Sequence, residues 1–249
     1  MTDRPAKSRL RRRAVATLAV GSAFVVSVLI AQPLFAYAVL GSVLPEILWR
    51  VETSEPLVAL TFDDGPDPTF TPRVLEILGR HQARATFFLI AERALQRPDL
   101  VARIRAEGHE VASHYTTRRS ALRDTDDEFA ENLAFTSRAL GLDETRPRLF
   151  RPPGGVARSS QLDRARSEGY TVVLGSAYPW DPAPPPSGYI RWLVTKNLAP
   201  GVVVILHDGI EDPSRTIDAL PAILDAGAAR GLRFVTVGDL MGADRAVRQ

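Results

Sequence analysis

The stretch LVALTFDDGP, residues 57–66, decides how the rest of this chain is interpreted. Its first six residues form an apolar run of strand length, and Asp-Asp-Gly-Pro ends the run as a turn. The run does not alternate between apolar and polar residues, as a half-exposed strand would. We therefore predict a parallel strand covered by helices, with two aspartates at its carboxyl end.

Similar apolar runs recur downstream, separated by segments with helical spacing. This alternation predicts an α/β fold, a barrel-like sheet of about seven parallel strands in one domain over residues 57–241. Residues 45–56 are predicted to be a linker with a first structured edge, and 242–249 a C-terminal tail. The predicted strands span 57–62, 83–90, 109–113, 148–151, 170–177, 202–207 and 232–237. The predicted helices span 71–81, 98–108, 126–140, 159–169, 188–198 and 217–231.

Composition excludes several classes of function. The chain has no cysteine, which excludes a disulfide scaffold, a thiolate metal site and a cysteine nucleophile. Its net charge is +2, but residues 1–13 hold six basic side chains and one acidic one, so the remainder is acidic overall. The basic charge is therefore a short tail and not a binding face, and we expect no nucleic-acid partner.

The N-terminal segment predicts a membrane anchor. Residues 14–31 carry no charge, and 18 apolar residues are the lower limit for crossing a bilayer core of about 30 Å. The basic tail in front of them predicts a cytoplasmic N-terminus and an exported domain. We predict a single-pass signal anchor over 14–44 in the cytoplasmic membrane, with the domain on the extracytoplasmic side. A cleaved signal peptide is the alternative, because Ala36-Tyr37-Ala38 fits a cleavage site.

Six polar residues fall at the carboxyl ends of predicted strands. In a parallel barrel those ends meet at one mouth, where active sites are built. Six reactive side chains from five strands on one rim are more specific than any single motif. They are Asp63, Asp64, His114, Arg151, Asp181 and His207.

The motifs around these residues resemble those of the polysaccharide deacetylase family, also called the NodB-homology or carbohydrate esterase family 4 domain. The resemblance rests on TFDDGP (61–66), FRPPGG (150–155), SAYPWDP (176–182) and LHD (206–208), in that order, and runs from about residue 57 to 240. It implies a deformed (β/α) barrel and a metal-dependent hydrolase that removes acetyl groups from a polysaccharide or oligosaccharide. The bond cleaved would be the carbon–nitrogen bond of an N-acetyl sugar in the cell envelope or outside the cell.

The resemblance also implies a role for each residue. Amide hydrolysis needs an activated water, stabilisation of the oxyanion and an acid for the leaving amine. By analogy Asp63 would be the base and Arg151 would hold it ionised. His207 would be the acid, paired with Asp181. Substrate contacts would come from Gly154, Tyr178 and Trp180.

The metal site departs from the family pattern. Asp64 and His114 would be ligands of a divalent ion, with zinc expected, but Arg118 occupies the place of a second histidine four residues after His114. A guanidinium has no lone pair for a metal. Three readings stay open. The metal has fewer ligands or an outside one such as Asp124 or Asp126; Arg118 replaces the metal as a fixed cation; or the domain is an inactive glycan-binding module.

Overall fold

The computed structural model describes residues 32, 34–142, 148–183 and 185–247. The basic tail and residues 14–31 of the predicted anchor lie outside these residues. The described part of that segment is helix α1, Leu34–Val43. Its ten residues span about 15 Å, half the thickness of a bilayer core. Within the described ranges, no helix combines the length and the apolar character needed to cross a membrane.

The described residues form one parallel sheet, as the apolar runs predict. Its order is β1-β6-β5-β4-β3-β2-β7, and β8 pairs with the first residues of β2, on the edge opposite β7. The prediction of about seven strands omits β1, which lies in the predicted linker and pairs with β6. The strands are β1 (Ile47–Leu48), β2 (Leu57–Asp63), β3 (Thr86–Leu89), β4 (Glu110–Ser113), β5 (Arg148–Phe150), β6 (Tyr170–Val173), β7 (Val203–His207) and β8 (Arg233–Val235).

The sheet curls into a barrel that closes through isolated bridges. Beyond the end of β6, Ala177 forms one parallel bridge with Val204 of β7, and Arg50 forms one antiparallel bridge with Val202. We call this junction between β6 and β7 the seam. Because no ladder of paired residues crosses the seam, the barrel is deformed from a regular cylinder.

Nine helices pack outside the sheet or follow it in the described ranges. Two of them, α3 and α9, are absent from the sequence prediction, and α9 contradicts the predicted boundary at residue 241 and the tail after it. The helices are α1, α2 (Phe70–Arg80), α3 (Ala91–Gln96), α4 (Pro98–Ala106), α5 (Asp126–Leu140), α6 (Ser159–Ser167), α7 (Ser187–Asn197), α8 (Ser214–Ala228) and α9 (Val237–Val247).

Local chemistry explains where two of these helices lie. Helix α5 begins with a capping box between Thr125 and Glu128, and Gly141 ends it in the left-handed conformation that glycine adopts without cost. Helix α9 forms because Val237 and Leu240 are buried in one cluster with strand residues of the barrel. Burial of these two side chains stabilises a helix in a stretch whose polar sequence alone predicts a tail.

Candidate active site

The carboxyl end of β2 sets the centre of the site. In the register between β2 and β7, Asp63 lies opposite His207, so the two side chains start from neighbouring strand ends. Asp64 follows with φ of +72°, which turns the chain sharply after the strand. A Cβ on Gly209 would collide with the main-chain oxygen of Asp64, so this turn and the one after β7 pack together only because residue 209 is glycine.

Asp63 is held by a buried arginine. Nη1 of Arg151 donates to Asp63 Oδ1 at 2.5 Å and to Thr61 Oγ1 at 2.8 Å. Arg151 also donates to the carbonyls of Val173 and Leu174, and its guanidinium stacks over Phe88 at 4.0 Å. With this many fixed contacts, Arg151 keeps its charge and fixes the direction of the Asp63 carboxylate.

His207 is held by Asp181 on the other side of the site. Asp181 Oδ1 accepts from the ring Nδ1 at 2.8 Å, while Oδ2 accepts from the main-chain N–H of His207 and from Thr216 Oγ1. Burial alone would lower the pKa of His207. The charge and hydrogen bond of Asp181, together with the charges of Asp63 and Asp64, outweigh burial and raise that pKa to about 9.

Asp63 and His207 face each other across a narrow gap. His207 Nε2 lies 3.9 Å from Asp63 Oδ2. Two atoms at that separation can both reach one bound atom at a hydrogen-bond distance of about 2.8 Å. The pair can therefore take a proton from one side of a reacting group and give a proton to the other.

His114 and Arg118 both face Asp64, but not from a helical turn. Residues 114–118 form an irregular loop in which Tyr115 has a φ of +72°. His114 Nδ1 lies 2.8 Å from the carbonyl oxygen of Arg151, which can only accept, so Nδ1 carries the proton. The unprotonated Nε2 lies 3.5 Å from Asp64 Oδ1, and Arg118 Nε lies 3.1 Å from Asp64 Oδ2.

This donor set does not fit the divalent ion on which deacetylases of this kind typically depend. Only Asp64 and His114 offer lone pairs, and a fixed cation already neutralises Asp64. Across the described ranges, no three His, Asp or Glu side chains are grouped so that they could hold a metal. Hydrolytic sites usually present three protein ligands.

Asp124 and Asp126 are engaged elsewhere, so the structure contradicts their suggested role as outside ligands. Asp124 accepts from Tyr115 Oη at 2.7 Å and from Asn132 Nδ2 at 2.9 Å, and it pairs with Arg119. Asp126 pairs with the exposed Arg158 at 2.9 Å. Both carboxylates therefore stabilise the loop after β4 and the start of α5.

The predicted substrate residues lie in two places. Tyr178 stacks near His207, with ring centroids 5.9 Å apart, and Trp180 lies 4.9 Å from Tyr178. Trp180 is about half exposed, so this aromatic pair forms an open wall beside the acid. Gly154 lies in a short 3-10 turn after Arg151 with φ of +70° and is exposed, which leaves its surface open to a ligand.

Three supporting residues are missed by the sequence analysis. Thr61 belongs to the TFDDGP motif, which could have signalled its role, and it links Arg151 to the carbonyl of Val204. Thr216 comes from α8 and has no sequence signal. Asp208 is fully buried beneath the site, where Thr71 Oγ1 donates to it at 2.5 Å, and burial raises its pKa to about 7.

A parallel barrel with a clamped carboxylate and a charged imidazole at its mouth defines a hydrolase that uses general acid–base chemistry. The comparisons identify its family. Residues 50–173 match the family model "Polysaccharide deacetylase". The chain belongs to the polysaccharide deacetylase family, hydrolases that act on carbon–nitrogen bonds other than peptide bonds.

Relatives and solved structures agree with this placement. A peptidoglycan-N-acetylglucosamine deacetylase of Bacillus cereus is 39% identical over 197 residues, 78% of this chain and 92% of the relative. A chitooligosaccharide deacetylase of Sinorhizobium fredii is 37% identical over 164 residues, 64% of this chain and 75% of the relative. The crystal structure of the peptidoglycan N-acetylglucosamine deacetylase Bc1960 superposes with a TM-score of 0.74 and 31% identity, covering 78% of this chain and 92% of that one.

Proposed function

We propose that this protein removes the acetyl group from N-acetylamino sugars of a cell-envelope glycan, with peptidoglycan as the first substrate to test. The observation that carries the proposal is the Asp63–His207 pair, 3.9 Å apart, with each member fixed by its own buried partner. A module that only binds sugar has no use for two opposed proton-transfer groups. The named activities of the two relatives support the substrate class.

The reaction follows from the positions of the side chains. Asp63 takes a proton from a water that attacks the acetyl carbonyl, and Arg151 keeps the carboxylate charged and directed. His207 then gives a proton to the sugar nitrogen as the carbon–nitrogen bond breaks, leaving acetate and a free amine. The proposed reaction does not use zinc, because among the described residues only two side chains with lone pairs, Asp64 and His114, lie at the expected metal position.

The raised pKa of His207 suits the role of acid. With a pKa of about 9, the ring is protonated at neutral pH and able to donate. Asp181 stabilises this imidazolium through Nδ1. The N–H group at Nε2 is therefore the one that points towards Asp63. The proposed acid is thus in its active protonation state near neutral pH.

The mouth suits a polymer better than a small molecule. Tyr178 and Trp180 form an open wall and not a closed pocket, and aromatic faces stack against the apolar faces of sugar rings. Gly154 lies exposed after β5, the strand next to β6. A glycan chain lying across the mouth would meet the aromatic wall beside His207.

We also propose that the domain is held at the outer face of the cytoplasmic membrane. The uncharged run 14–31 and the basic tail before it support this placement. Helix α1 adds a second support, because Phe35, Val39 and Val43 are exposed and follow one another at four-residue spacing on one face. Such an apolar stripe next to an anchor fits the membrane interface.

Acetate release tests the proposed activity. The full chain is incubated with peptidoglycan and with N-acetylglucosamine oligomers, and acetate and free amines are measured. His207→Gln is expected to lose activity by about 10²- to 10⁴-fold. His81→Gln is the matched control, since His81 lies at the end of α2 against Ile77 and outside the site. Full activity in His207→Gln would refute the proposed mechanism.

A second function has one observation in its favour. The ion pair between Arg118 and Asp64 leaves the family's metal position without a full ligand set. An inactive glycan-binding module would explain that change. Such a module would bind the oligomers but release no acetate, so calorimetric titration alongside the acetate assay separates the two functions.

A further inference from the structure

The guanidinium of Arg118 lies beside Asp64, the carboxylate that the family resemblance implies is a metal ligand. Its Nε lies 3.1 Å from Asp64 Oδ2, and Asp64 is almost completely buried, whereas the Arg118 side chain is 47% exposed. The main chain of Asp64 is held by Arg93, which donates to its carbonyl oxygen at 3.0 Å. Arg118 is therefore a positive charge fixed on a rigid partner, with part of its surface facing the mouth.

We propose that Arg118 is a catalytic residue that takes the place of the metal ion by binding the acetyl carbonyl oxygen and stabilising the oxyanion. This inference rests on the proposed function and assigns a new element to the same site. A guanidinium has five N–H donors in a planar fork, and one carboxylate can accept at most two of them in a side-by-side pair. At least three donors therefore remain for other partners, the substrate oxygen among them.

The position of Arg118 relative to the proton-transfer pair supports this role. Asp64 directly follows Asp63 at the carboxyl end of β2, so Arg118 pairs with the residue next to the proposed base. Arg118 approaches Oδ2 of Asp64, and the unprotonated Nε2 of His114 lies near Oδ1, so Arg118 supplies the positive charge beside this carboxylate. An oxyanion hole consists of hydrogen-bond donors placed before the reaction begins, and the N–H groups of Arg118 can serve as such donors.

The step balances without a metal. The water oxygen bonds to the acetyl carbon, Asp63 accepts the water proton, and negative charge develops on the carbonyl oxygen beside Arg118. The carbon–nitrogen bond then breaks, the oxygen's charge returns to re-form the carbonyl, and His207 supplies the proton that the amine needs. Arg118 keeps all its protons throughout, because guanidinium does not act as an acid in proteins.

The test separates this inference from the proposed function. Acetate release by the full chain is measured after dialysis against a chelator, with metal content checked by mass spectrometry, and then again with added Zn²⁺. We expect activity within about twofold in the two states. Arg118→Ala should lose about 10²- to 10³-fold, the usual effect of removing one oxyanion donor, with an unchanged melting temperature. Added guanidinium ion should restore part of that loss, which a merely structural role would not allow.

Two further variants complete the test. Arg118→Lys keeps the charge but not the fork, and should retain more activity than Arg118→Ala. Arg118→His should gain Zn²⁺ binding in calorimetry, while Arg123→His, a change of an exposed arginine five residues away, should not.

Each contrary result has a distinct meaning. If chelation abolishes acetate release by the wild type and Zn²⁺ restores it, the proposed function stands and the role of Arg118 is overturned. Wild-type activity in Arg118→Ala overturns that role as well. If only zinc-loaded Arg118→His releases acetate, Arg118 is an inactivating replacement. If no variant releases acetate in any state, both proposals fail.

Discussion

Asp181 contacts His207 through both of its oxygens, one on the ring Nδ1 and one on the main-chain N–H, each at 2.8 Å. The ring contact fixes which nitrogen points towards Asp63, and the main-chain contact fixes the position of the residue itself. One carboxylate thus sets both the direction and the charge of the proposed acid. Its removal should consequently be visible in the pH dependence of the reaction.

Asp181→Asn should shift the alkaline limb of the kcat profile to lower pH. Without the negative charge, burial dominates and the pKa of His207 falls below its wild-type value of about 9. The imidazolium is then depleted at pH 8, and turnover there should fall by about 10- to 100-fold. The measurement is kcat between pH 6 and 10 for both proteins. An alkaline limb at the same pH in the variant would exclude Asp181 as the source of the shift.

Asp63→Asn should abolish turnover while the fold persists. The loss of the base is expected to cost about 10²- to 10⁴-fold in kcat. The asparagine oxygen can still accept from Arg151, whose other contacts are to Thr61 and main-chain carbonyls, so the cost in unfolding free energy should stay near 3 kcal/mol. Circular dichroism and urea denaturation report the fold. Substantial acetate release by this variant would remove Asp63 from the mechanism.

Asp208→Asn should stabilise the protein at alkaline pH and not at acidic pH. Burial raises the pKa of Asp208 from its ordinary range to about 7, so the folded state resists ionisation of this side chain. The wild type therefore loses stability as pH rises from about 4 through 7, a cost that the neutral amide does not have. We expect a gain of about 1–3 kcal/mol at pH 8 and little change at pH 4, by urea denaturation at both values. Equal effects at the two pH values would contradict this account.

Gly209→Ala should damage the site, whereas Gly79→Ala should not. A methyl group at residue 209 would collide with the main-chain oxygen of Asp64 and displace the carboxylate beside it. A methyl group at residue 79 meets nothing and lies in α2, where alanine favours the helix by about 0.5–1 kcal/mol. Melting temperature and acetate release should therefore both fall in Gly209→Ala, whereas in Gly79→Ala the melting temperature should rise slightly or stay the same and acetate release should be unchanged. Normal activity in Gly209→Ala would show that the turn relaxes around the methyl group.

Protease added to intact spheroplasts should digest the domain. The basic tail and the uncharged run behind it predict a domain outside the cytoplasmic membrane. Digestion is followed with an antibody to the C-terminal region, and a cytoplasmic protein serves as the control for leakage. Protection of the domain until the cells are lysed would contradict the proposed location.

Most of the sheet could be predicted because a strand in a parallel sheet is buried on both faces, and β2, for example, is buried along its whole length. Strand β1 could not, because two residues carry no periodic pattern. The position of the site could be predicted as well, because the carboxyl ends of parallel strands meet at one mouth. Asp63 and His207 are therefore expected to be close together once both strands are predicted.

Contacts made by loops and helices were harder to foresee. The spacing of His114 and Arg118 suggested a helical turn, but the left-handed residue Tyr115 breaks any helix there, and both side chains reach Asp64 by a different path. Thr216 reaches Asp181 from α8, 35 residues away in the chain. Nothing in one sequence marks such a pairing, since it depends on how α8 packs on the barrel.

The seam between β6 and β7 carries residues that affect two properties, the contacts with the sugar and the pKa of His207. The chain that crosses it carries Tyr178 and Trp180, the proposed glycan wall, and Asp181, which holds His207. Its strand pairing with β7 is a single isolated bridge, beside the hydrogen bonds between Asp181 and His207, so an insertion or deletion there breaks no strand ladder. A change in the length of this stretch would alter the preferred sugar and the working pH together. A variant selected for a new glycan would therefore also have a new pH optimum.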